Sequence, residues 1–154
     1  MIAILAGIRS SYNVGSIFRT ADASGFEKII LCGITPLPLD RYNRPNKEIA
    51  KVALGAEKYL PWEYAESAVR EIKKLKQLGY KIIALEQSRR SLPYSKFKIT
   101  NAKFVLVLGN EITGLSNSVL KLADKILEIP MRGQKESLNV AVAFGIVAFK
   151  LLEL

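Results

Sequence analysis

Length and composition limit the classes of protein to which this chain can belong. It has 154 residues, 49% of them hydrophobic, which suits one domain with a core of ordinary size and not a disordered tail. There is no histidine and only one cysteine, Cys32, which excludes imidazole catalysis, a disulfide framework and a zinc cluster. Because this lone thiol lies in the apolar run Lys28–Gly33 and fits an inert core group, we expect a reduced, cytoplasmic setting.

The charge is strongly positive, with a formal net value of +9. An excess of this size favours a polyanionic partner, nucleic acid ahead of a membrane surface, although a basic and merely solvated surface explains the charge equally well. The apolar run Met1–Gly7 is too short to cross a bilayer, and no basic segment precedes it. We therefore expect neither a membrane contact nor a signal peptide.

Hydrophobic periodicity and turn residues predict alternating strands and helices. The first half is predicted to contain strand Met1–Gly7, a helix capped by Asn13 and running to about Ser24, strand Lys28–Gly33, a proline-rich loop, a short helix from about Asn46 to Leu54 and a helix over Trp62–Leu78. The second half is predicted to contain strand Tyr80–Glu86, a polar segment over 87–102, strand Lys103–Gly109, a helix at about Ser116–Ala123, strand Ile126–Ile129 and a last helix from about Ser137. This alternation predicts one α/β domain over residues 1–154, with a mostly parallel sheet and helices on both of its faces.

The last helix is apolar nearly all the way round until Lys150. One face can pack on the sheet, and the opposite face needs a second cover. That cover is either the rest of the monomer or a partner subunit. We favour the partner, and therefore expect a homodimer.

Three motifs carry the polar residues that stand out from this apolar background. They are Asn13-Val-Gly-Ser-Ile-Phe-Arg-Thr-Ala-Asp-Ala-Ser-Gly25, Leu108-Gly-Asn-Glu-Ile-Thr-Gly-Leu-Ser116 and Ile129-Pro-Met-Arg-Gly-Gln-Lys-Glu-Ser-Leu-Asn-Val-Ala141. A glycine-bearing loop after a strand is a weak signal by itself. The dinucleotide and phosphate-loop patterns are both missing, which disfavours a nucleotide-dependent α/β enzyme.

In this order, the three motifs resemble those of the SpoU (TrmH) family of SPOUT methyltransferases, and the resemblance covers nearly the whole chain. It implies a SPOUT fold with a C-terminal trefoil knot, S-adenosyl-L-methionine as cofactor and an active site at a homodimer interface. It also implies methylation of a ribose 2′-hydroxyl in tRNA or rRNA. Two rivals are an inactive SPOUT-fold RNA-binding module and a SPOUT enzyme that methylates a base nitrogen. Intact motif residues disfavour the first rival, and the Asn…Arg pattern of the first motif disfavours the second.

The match to these motifs implies two groups of site residues and no metal. The implied reaction centre consists of Arg19, Asn13, Glu111, Ser137 and Asn139. The implied cofactor-binding residues are Leu85, Leu108, Gly109, Asn110, Ile129, Met131, Ser137 and Leu138. Structural roles compete at several of these positions: Ser137 fits a helix cap, Met131 fits core packing, and Glu111 fits a partner of loop amides. We expect Glu111 instead to hold the knot loop or a side chain of the first motif.

Activation of the 2′-hydroxyl is the open point of the mechanism, because a guanidinium holds its proton at ordinary pH. Arg19 is either made neutral by burial beside another cation, or it stays charged, binds the neighbouring phosphate and stabilises the developing alkoxide. We favour the second. The proton then leaves through a phosphate oxygen or water.

RNA contacts are expected at Arg19, Arg41, Arg89, Arg90 and Lys96. The last three belong to a basic segment that also contains Tyr94 and Phe97, and aromatic residues among cations suit base stacking beside phosphate contact. A second basic run, Arg70–Lys76, fits the solvated face of a helix equally well. Since no RNA-binding domain like those of larger relatives is expected, target choice falls to the catalytic core, the partner subunit or an accessory protein.

Overall fold

The computed structural model describes residues 1–99 and 103–153, so the last residues of the predicted 87–102 segment and the end of the predicted C-terminal helix lie outside it. The strands are β1 (Ile2–Ala6), β2 (Lys28–Cys32), β3 (Trp62–Ala65), β4 (Lys81–Leu85), β5 (Leu92–Pro93), β6 (Phe104–Gly109) and β7 (Lys125–Glu128). The helices are α1 (Ser11–Ala23), α2 (Lys47–Ala53), α3 (Ala56–Tyr59), α4 (Ala68–Gln77), α5 (Asn117–Leu122) and α6 (Val140–Leu151), and Tyr94–Lys96 forms a 3₁₀ turn.

These strands form one sheet in the order β3-β2-β1-β6-β4-β7-β5. Every pairing in it is parallel, which confirms the predicted sheet. The first strand of the chain lies inside the sheet, since Ile2 is in register with Lys28 of β2 on one side and with Val105 of β6 on the other. Because all strands point the same way, their carboxyl ends meet at one edge, where parallel α/β sheets bind ligands.

Apolar side chains cover both faces of the sheet, as predicted. On one face, Phe18 of α1 and Phe144 of α6 are fully buried against Leu5 of β1. On the other face, Ile72 of α4 and Val119 of α5 pack in a second cluster with strand residues of opposite parity. Nearly continuous burial of β6, from Phe104 to Gly109, follows from its position inside the sheet.

The predicted helix over Trp62–Leu78 is wrong in its first part. Residues Trp62–Ala65 form β3, which pairs with β2, so that Tyr64 is in register with Leu31. Helix α4 begins only after Ser67, whose hydroxyl accepts a hydrogen bond from Arg70 N at 3.3 Å. From Ala68 onward the apolar spacing does correspond to a helix. Before Ser67, pairing with the apolar strand β2 determines the structure instead of the local pattern.

Two predicted helix caps also need correction. Helix α1 is capped by the Ser10 hydroxyl, which accepts from Asn13 N at 3.3 Å, so Asn13 lies inside the helix. Helix α6 is capped by Asn139, whose Oδ1 accepts from Ala141 N at 2.9 Å and Val142 N at 3.3 Å, and not by Ser137. A side-chain oxygen two or three residues before the donors is what a cap requires, and Asn139 meets that spacing.

Within residues 1–99 and 103–153, no helix is both long and apolar enough to cross a membrane.

Candidate active site

A cavity of about 580 Å³ opens at the carboxyl ends of β4, β6 and β7, beside the start of α6. Its volume lies in the range of pockets for cofactor-sized ligands. Every residue predicted to bind cofactor lines this cavity: Leu85, Leu108, Gly109, Asn110, Ile129, Met131, Ser137 and Leu138. The sheet edge therefore brings together residues from distant parts of the sequence.

The loop after β6 folds back closely on the end of its own strand. A Cβ atom on Gly109 would lie 2.5 Å from the carbonyl carbon of Gly114 and 2.6 Å from Leu115 N, so only glycine fits there. The side chain of Asn110 fixes the loop, because its Nδ2 donates to Gly7 O at 2.8 Å and its Oδ1 accepts from Ile112 N at 2.9 Å. Asn110 thus lines the cavity and holds the loop with its side chain.

Three polar side chains at the mouth of the cavity form a continuous hydrogen-bonded chain. Asn139 Nδ2 donates to Asn13 Oδ1 at 2.9 Å, and Asn13 Nδ2 donates to Glu111 Oε1 at 2.9 Å. The same carboxylate accepts from Ser10 N at 3.1 Å and, through Oε2, from Arg9 N at 3.0 Å. One residue from each of the three sequence motifs is joined here, and Glu111 holds a side chain of the first motif as expected.

The hydrogen bonds determine the ionisation state of Glu111. Partial burial by itself raises the pKa of this carboxyl, but donors from Arg9 N, the Asn13 side chain and Ser10 N favour the charged form more strongly. The net effect lowers the pKa of Glu111 below its usual value. The carboxylate is therefore an anion at neutral pH and acts as the acceptor that orients Asn13.

A second carboxylate in the cavity fastens the loop after β6 to the neighbouring strand. Glu86, just after β4, accepts from Leu115 N at 2.8 Å through Oε2. The next residue, Gln87, donates from Nε2 to Glu136 O at 2.6 Å, which ties the segment before α6 to the end of β4. Glu86 and Gln87 both line the cavity, together with Glu128.

The predicted reaction-centre residues are only partly assembled within this chain. Asn13, Glu111, Ser137 and Asn139 line the cavity. Arg19 lies on the exposed side of α1 and is not among the lining residues. The cavity accordingly has its polar mouth without the guanidinium that the first motif led us to expect.

The donor set of the cavity fits S-adenosylmethionine. Leu85, Leu108 and Ile129 provide apolar walls on which an adenine ring can lie. The carboxylates of Glu86 and Glu128 suit the hydroxyl groups and positive charge of such a ligand. Among residues 1–99 and 103–153, no group of three or more His, Cys, Asp or Glu side chains is placed to hold a metal ion.

Comparison with known proteins agrees with the architecture of this site. The model of the SpoU rRNA Methylase family matches residues 1–149. The chain belongs to that family.

Relatives in the SpoU family resemble the chain over nearly its full length. It is 32% identical over 151 residues to a protein of Ralstonia nicotianae named 23S rRNA (guanosine-2'-O-)-methyltransferase RlmB, an alignment that covers 97% of this chain and 57% of the relative. It is 31% identical over 154 residues to the tRNA (guanosine(18)-2'-O)-methyltransferase of Aquifex aeolicus, covering 97% of this chain and 67% of that protein.

The fold is likewise that of solved SpoU-family structures. The AdoMet-bound rRNA methyltransferase from Sinorhizobium meliloti superposes with a TM-score of 0.88 at 28% identity, covering 99% of this chain and 55% of that one. The chain thus spans between about half and two thirds of the length of these relatives.

The residues predicted to contact RNA lie at three separate places, of which exposed Arg19 on α1 is the first. Arg89 and Arg90 are exposed in the turn that follows the lining residue Gln87, and exposed Lys96 lies in the 3₁₀ turn beyond it. Arg41 lies instead at a second cavity, beyond β2. No predicted RNA-contact residue is among the residues that line the first cavity.

Sequence reasoning missed several residues of the site. Glu86, Gln87 and Glu128 line the cavity but belong to none of the three motifs. A signal for two of them was present, because Glu86 is the last residue of one predicted strand and Glu128 is next to last in another. In a parallel sheet, polar residues at carboxyl ends of strands converge on one edge.

Proposed function

We propose that the chain catalyses transfer of a methyl group from S-adenosylmethionine to a ribose 2′-hydroxyl of tRNA or rRNA. The observation that carries this proposal is the joining of one residue from each of the three motifs, Asn13, Glu111 and Asn139, at the mouth of a cofactor-sized cavity. Membership of the SpoU family supports it, and so do the activities named for the Ralstonia and Aquifex relatives.

When bound, S-adenosylmethionine supplies a methyl group activated by a sulfonium cation. The chain's own residues have to position the ribose hydroxyl and manage its proton. Asn13 and Asn139 are held by their mutual hydrogen bond and by Glu111, so their amides are oriented before RNA arrives. We assign Arg19 to the phosphate beside the target ribose, where its charge stabilises the developing alkoxide while the proton leaves to a phosphate oxygen or water.

We further propose a homodimer in which α1 and α6 form the interface. Helix α6 exposes an apolar stripe that contains Val142 (51% exposed) and Phe149 (38% exposed), seven residues apart, and exposed Leu138 lies just before the helix. Helix α1 packs beside α6. It exposes Tyr12 and Arg19, which are seven residues, or about two helical turns, apart. A partner covering this stripe places the partner's Arg19 near the cavity, which would supply the guanidinium that the cavity lacks within one chain.

Three further features stay predictions. The trefoil knot is expected where two hydrogen bonds tie the loop after β6 and the segment before α6 to the end of β4, from Leu115 N to Glu86 and from Gln87 to Glu136 O. A cytoplasmic setting is supported by the buried, unpaired Cys32. An accessory protein or the partner subunit is expected to contribute to target choice.

Nucleoside mass spectrometry of unmodified bulk tRNA and rRNA, each incubated with protein and S-adenosylmethionine, tests the function. We expect a new 2′-O-methylnucleoside that disappears with Arg19→Ala. A methylated base in place of a methylated ribose would establish the rival methyltransferase activity. Cofactor binding with no product in any RNA would contradict the proposal for this chain acting alone, and absence of both would favour an inactive RNA-binding module.

A further inference from the structure

A second cavity, of about 780 Å³, lies beside the proline-rich loop that follows β2. Its walls combine that loop with the edge strand β3 and include Trp62, Tyr64, Arg41 and Arg44. Trp62 and Tyr64 alternate along β3 with Glu63 and therefore point to the same face of the sheet. Tyr64 is 52% exposed, although it stands in a strand, so an aromatic ring is presented to solvent next to two arginines.

The loop is held in one conformation by its own hydrogen bonds. Asp40 accepts from Tyr42 N at 2.8 Å and Arg44 N at 3.0 Å through Oδ1, and from Arg44 Nε at 2.7 Å through Oδ2. These bonds, led by that from Arg44 N, lower the pKa of Asp40 below its usual value. The two guanidinium carbons of Arg41 and Arg44 lie 4.8 Å and 5.0 Å from the ring centre of Tyr42. The cations are therefore placed before any ligand binds, which reduces the entropy lost on binding.

The charge balance of this cavity selects an anion. Arg41 and Arg44 stand against Asp40, the one carboxylate among the lining residues in the part of the chain that the structure describes. Asp40 neutralises part of the charge of Arg44 and leaves that of Arg41 uncompensated within the loop. Guanidinium groups beside exposed aromatic rings suit a ligand with both a phosphate and a planar ring, as an unpaired nucleotide has.

Helix α1 connects this cavity to the catalytic one. Asn46, which lines the second cavity, donates from Nδ2 to the hydroxyl of Ser11 at 3.4 Å. Two residues along α1, Asn13 lines the catalytic cavity. In the sheet order, the second cavity lies beside β3 and the end of β2, whereas the catalytic cavity lies at the carboxyl ends of β6, β4 and β7. The nearest of these strands, β2 and β6, are two strand spacings apart, on the order of 10 Å. An RNA strand can therefore occupy both at once.

We propose that the second cavity binds an unpaired nucleotide of the substrate RNA, near the nucleotide whose ribose enters the catalytic cavity. The base stacks on Tyr64 and Trp62, and its phosphate pairs with Arg41. This subsite rests on the RNA methylation proposed above and adds a recognition element to it. It lets a catalytic domain of this size select single-stranded RNA by stacking, which is tolerant of base identity.

Trp62 is the only tryptophan in the chain, so its fluorescence reports on this cavity directly. Titration of the whole protein with a short single-stranded oligouridylate is expected to quench Trp62 fluorescence, and Tyr64→Ala is expected to weaken that binding by about tenfold. Tyr64→Phe keeps the ring and should restore it. Tyr59→Ala, which removes a tyrosine that is 79% exposed outside the cavity, is the matched control.

A second pair of variants tests the phosphate contact. Arg41→Ala should weaken oligouridylate binding and reduce the slope of log affinity against log salt concentration by about 1. Lys121→Ala, at an exposed lysine on α5, should change neither the affinity nor the slope. Affinity for S-adenosylhomocysteine should be native in all these variants, which separates a lost subsite from a damaged fold.

The subsite is overturned if oligouridylate leaves Trp62 fluorescence unchanged, if Tyr64→Ala binds as the native protein does, or if polyglutamate quenches equally well. Any of these results in a protein that still methylates RNA would leave the proposed function intact. Quenching that Tyr64→Ala weakens, in a protein that transfers no methyl group to any RNA, would establish the subsite and remove the proposed function.

Discussion

The side-chain amide of Asn139 donates to the side-chain oxygen of Asn13 across 2.9 Å, although the two residues are 126 positions apart. Asn139 Oδ1 is occupied by the first amides of α6, so its Nδ2 has to be the donor in this pair. Asn13 must then accept through Oδ1 and turn its own Nδ2 toward Glu111. The direction in which these three side chains donate their hydrogen bonds is thus set by the terminus of α6 at one end and by the Glu111 anion at the other.

Asn139→Ala should lower stability by about 1 kcal/mol, because α6 loses its cap. Asn139→Ser keeps a capping oxygen but cannot reach Asn13, so it should restore most of the stability while methyl transfer stays at least about tenfold reduced. Chemical denaturation and initial rates of transfer measure the two effects. Equal recovery of both by Asn139→Ser would show that Asn139 is only a cap.

Glu111 gives stability a specific pH dependence. Its pKa is lowered in the folded protein, so its contribution is complete above the usual carboxyl value of 4.5 and is lost as pH falls through the lowered value. Glu111→Gln should cost about 1 kcal/mol at neutral pH, a modest figure because solvent reaches this carboxylate, and the difference from native should shrink in acid. Urea midpoints between neutral and acid pH measure this. Glu66→Gln, at an exposed carboxylate, is the control, and a difference that is independent of pH would contradict the prediction.

Gly109→Ala should damage the cavity and the fold together. The added methyl group would lie 2.5 Å from the carbonyl carbon of Gly114 and 2.6 Å from Leu115 N. Both are backbone atoms, so neither can be moved by a side-chain rotation. We expect a loss of about 1–3 kcal/mol and loss of S-adenosylhomocysteine binding by calorimetry. Gly133→Ala is the control, since nothing lies within 4 Å of its added Cβ. Native binding by Gly109→Ala would mean that the loop after β6 moves freely.

Complementation tests whether Arg19 acts across the proposed dimer interface. A heterodimer of one Arg19→Ala subunit and one Asn139→Ala subunit contains one complete site if Arg19 serves its partner's cavity, and none if it serves its own. We expect about half of native activity from the purified heterodimer, and almost none from either homodimer. Differently tagged subunits can be co-expressed for this purpose. An inactive heterodimer would place Arg19 in the cavity of its own chain.

Cys32 should be inert in the folded protein. Burial, with a smaller contribution from the charge of Glu71, raises the pKa of its thiol to about 12, so almost no thiolate exists at pH 8. A chromogenic disulfide reagent should react only as fast as the protein unfolds, and at once in denaturant. Rapid labelling of the native protein would contradict the burial of this residue.

Fold class could be predicted from strong local patterns in the sequence, and most of the residues that line the first cavity could be predicted from the resemblance of three motifs to the SpoU family. Strand β6 is an unbroken apolar run, and the loop after it carries glycines where the backbone must turn. The strand at Trp62–Ala65 could not be predicted, because its identity comes from pairing with β2 and not from its own pattern. The caps show the same limit: several polar residues stand near each helix start, and only geometry separates Ser10 from Asn13 and Asn139 from Ser137.

The second cavity could not be predicted from the sequence for a related reason. Arg41 was predicted to contact RNA from its charge, but Trp62 and Tyr64 had been placed on a helix, where they could not form one aromatic wall. Only the strand geometry puts both rings on one face beside the arginines. The position of Arg19 outside the cavity likewise depends on tertiary structure, since sequence matching does not say which subunit a residue serves.

The place of β1 in the sheet has a consequence for how the protein is made. Strands β1, β2 and β3 are neighbours in both sequence and space, so this part of the sheet can form while the rest of the chain is still being synthesised. Ile2, however, must wait for Val105 before the other side of its strand is paired. A hydrophobic strand edge therefore stays open through most of translation, and the unfinished chain carries a risk of aggregation that the completed one does not.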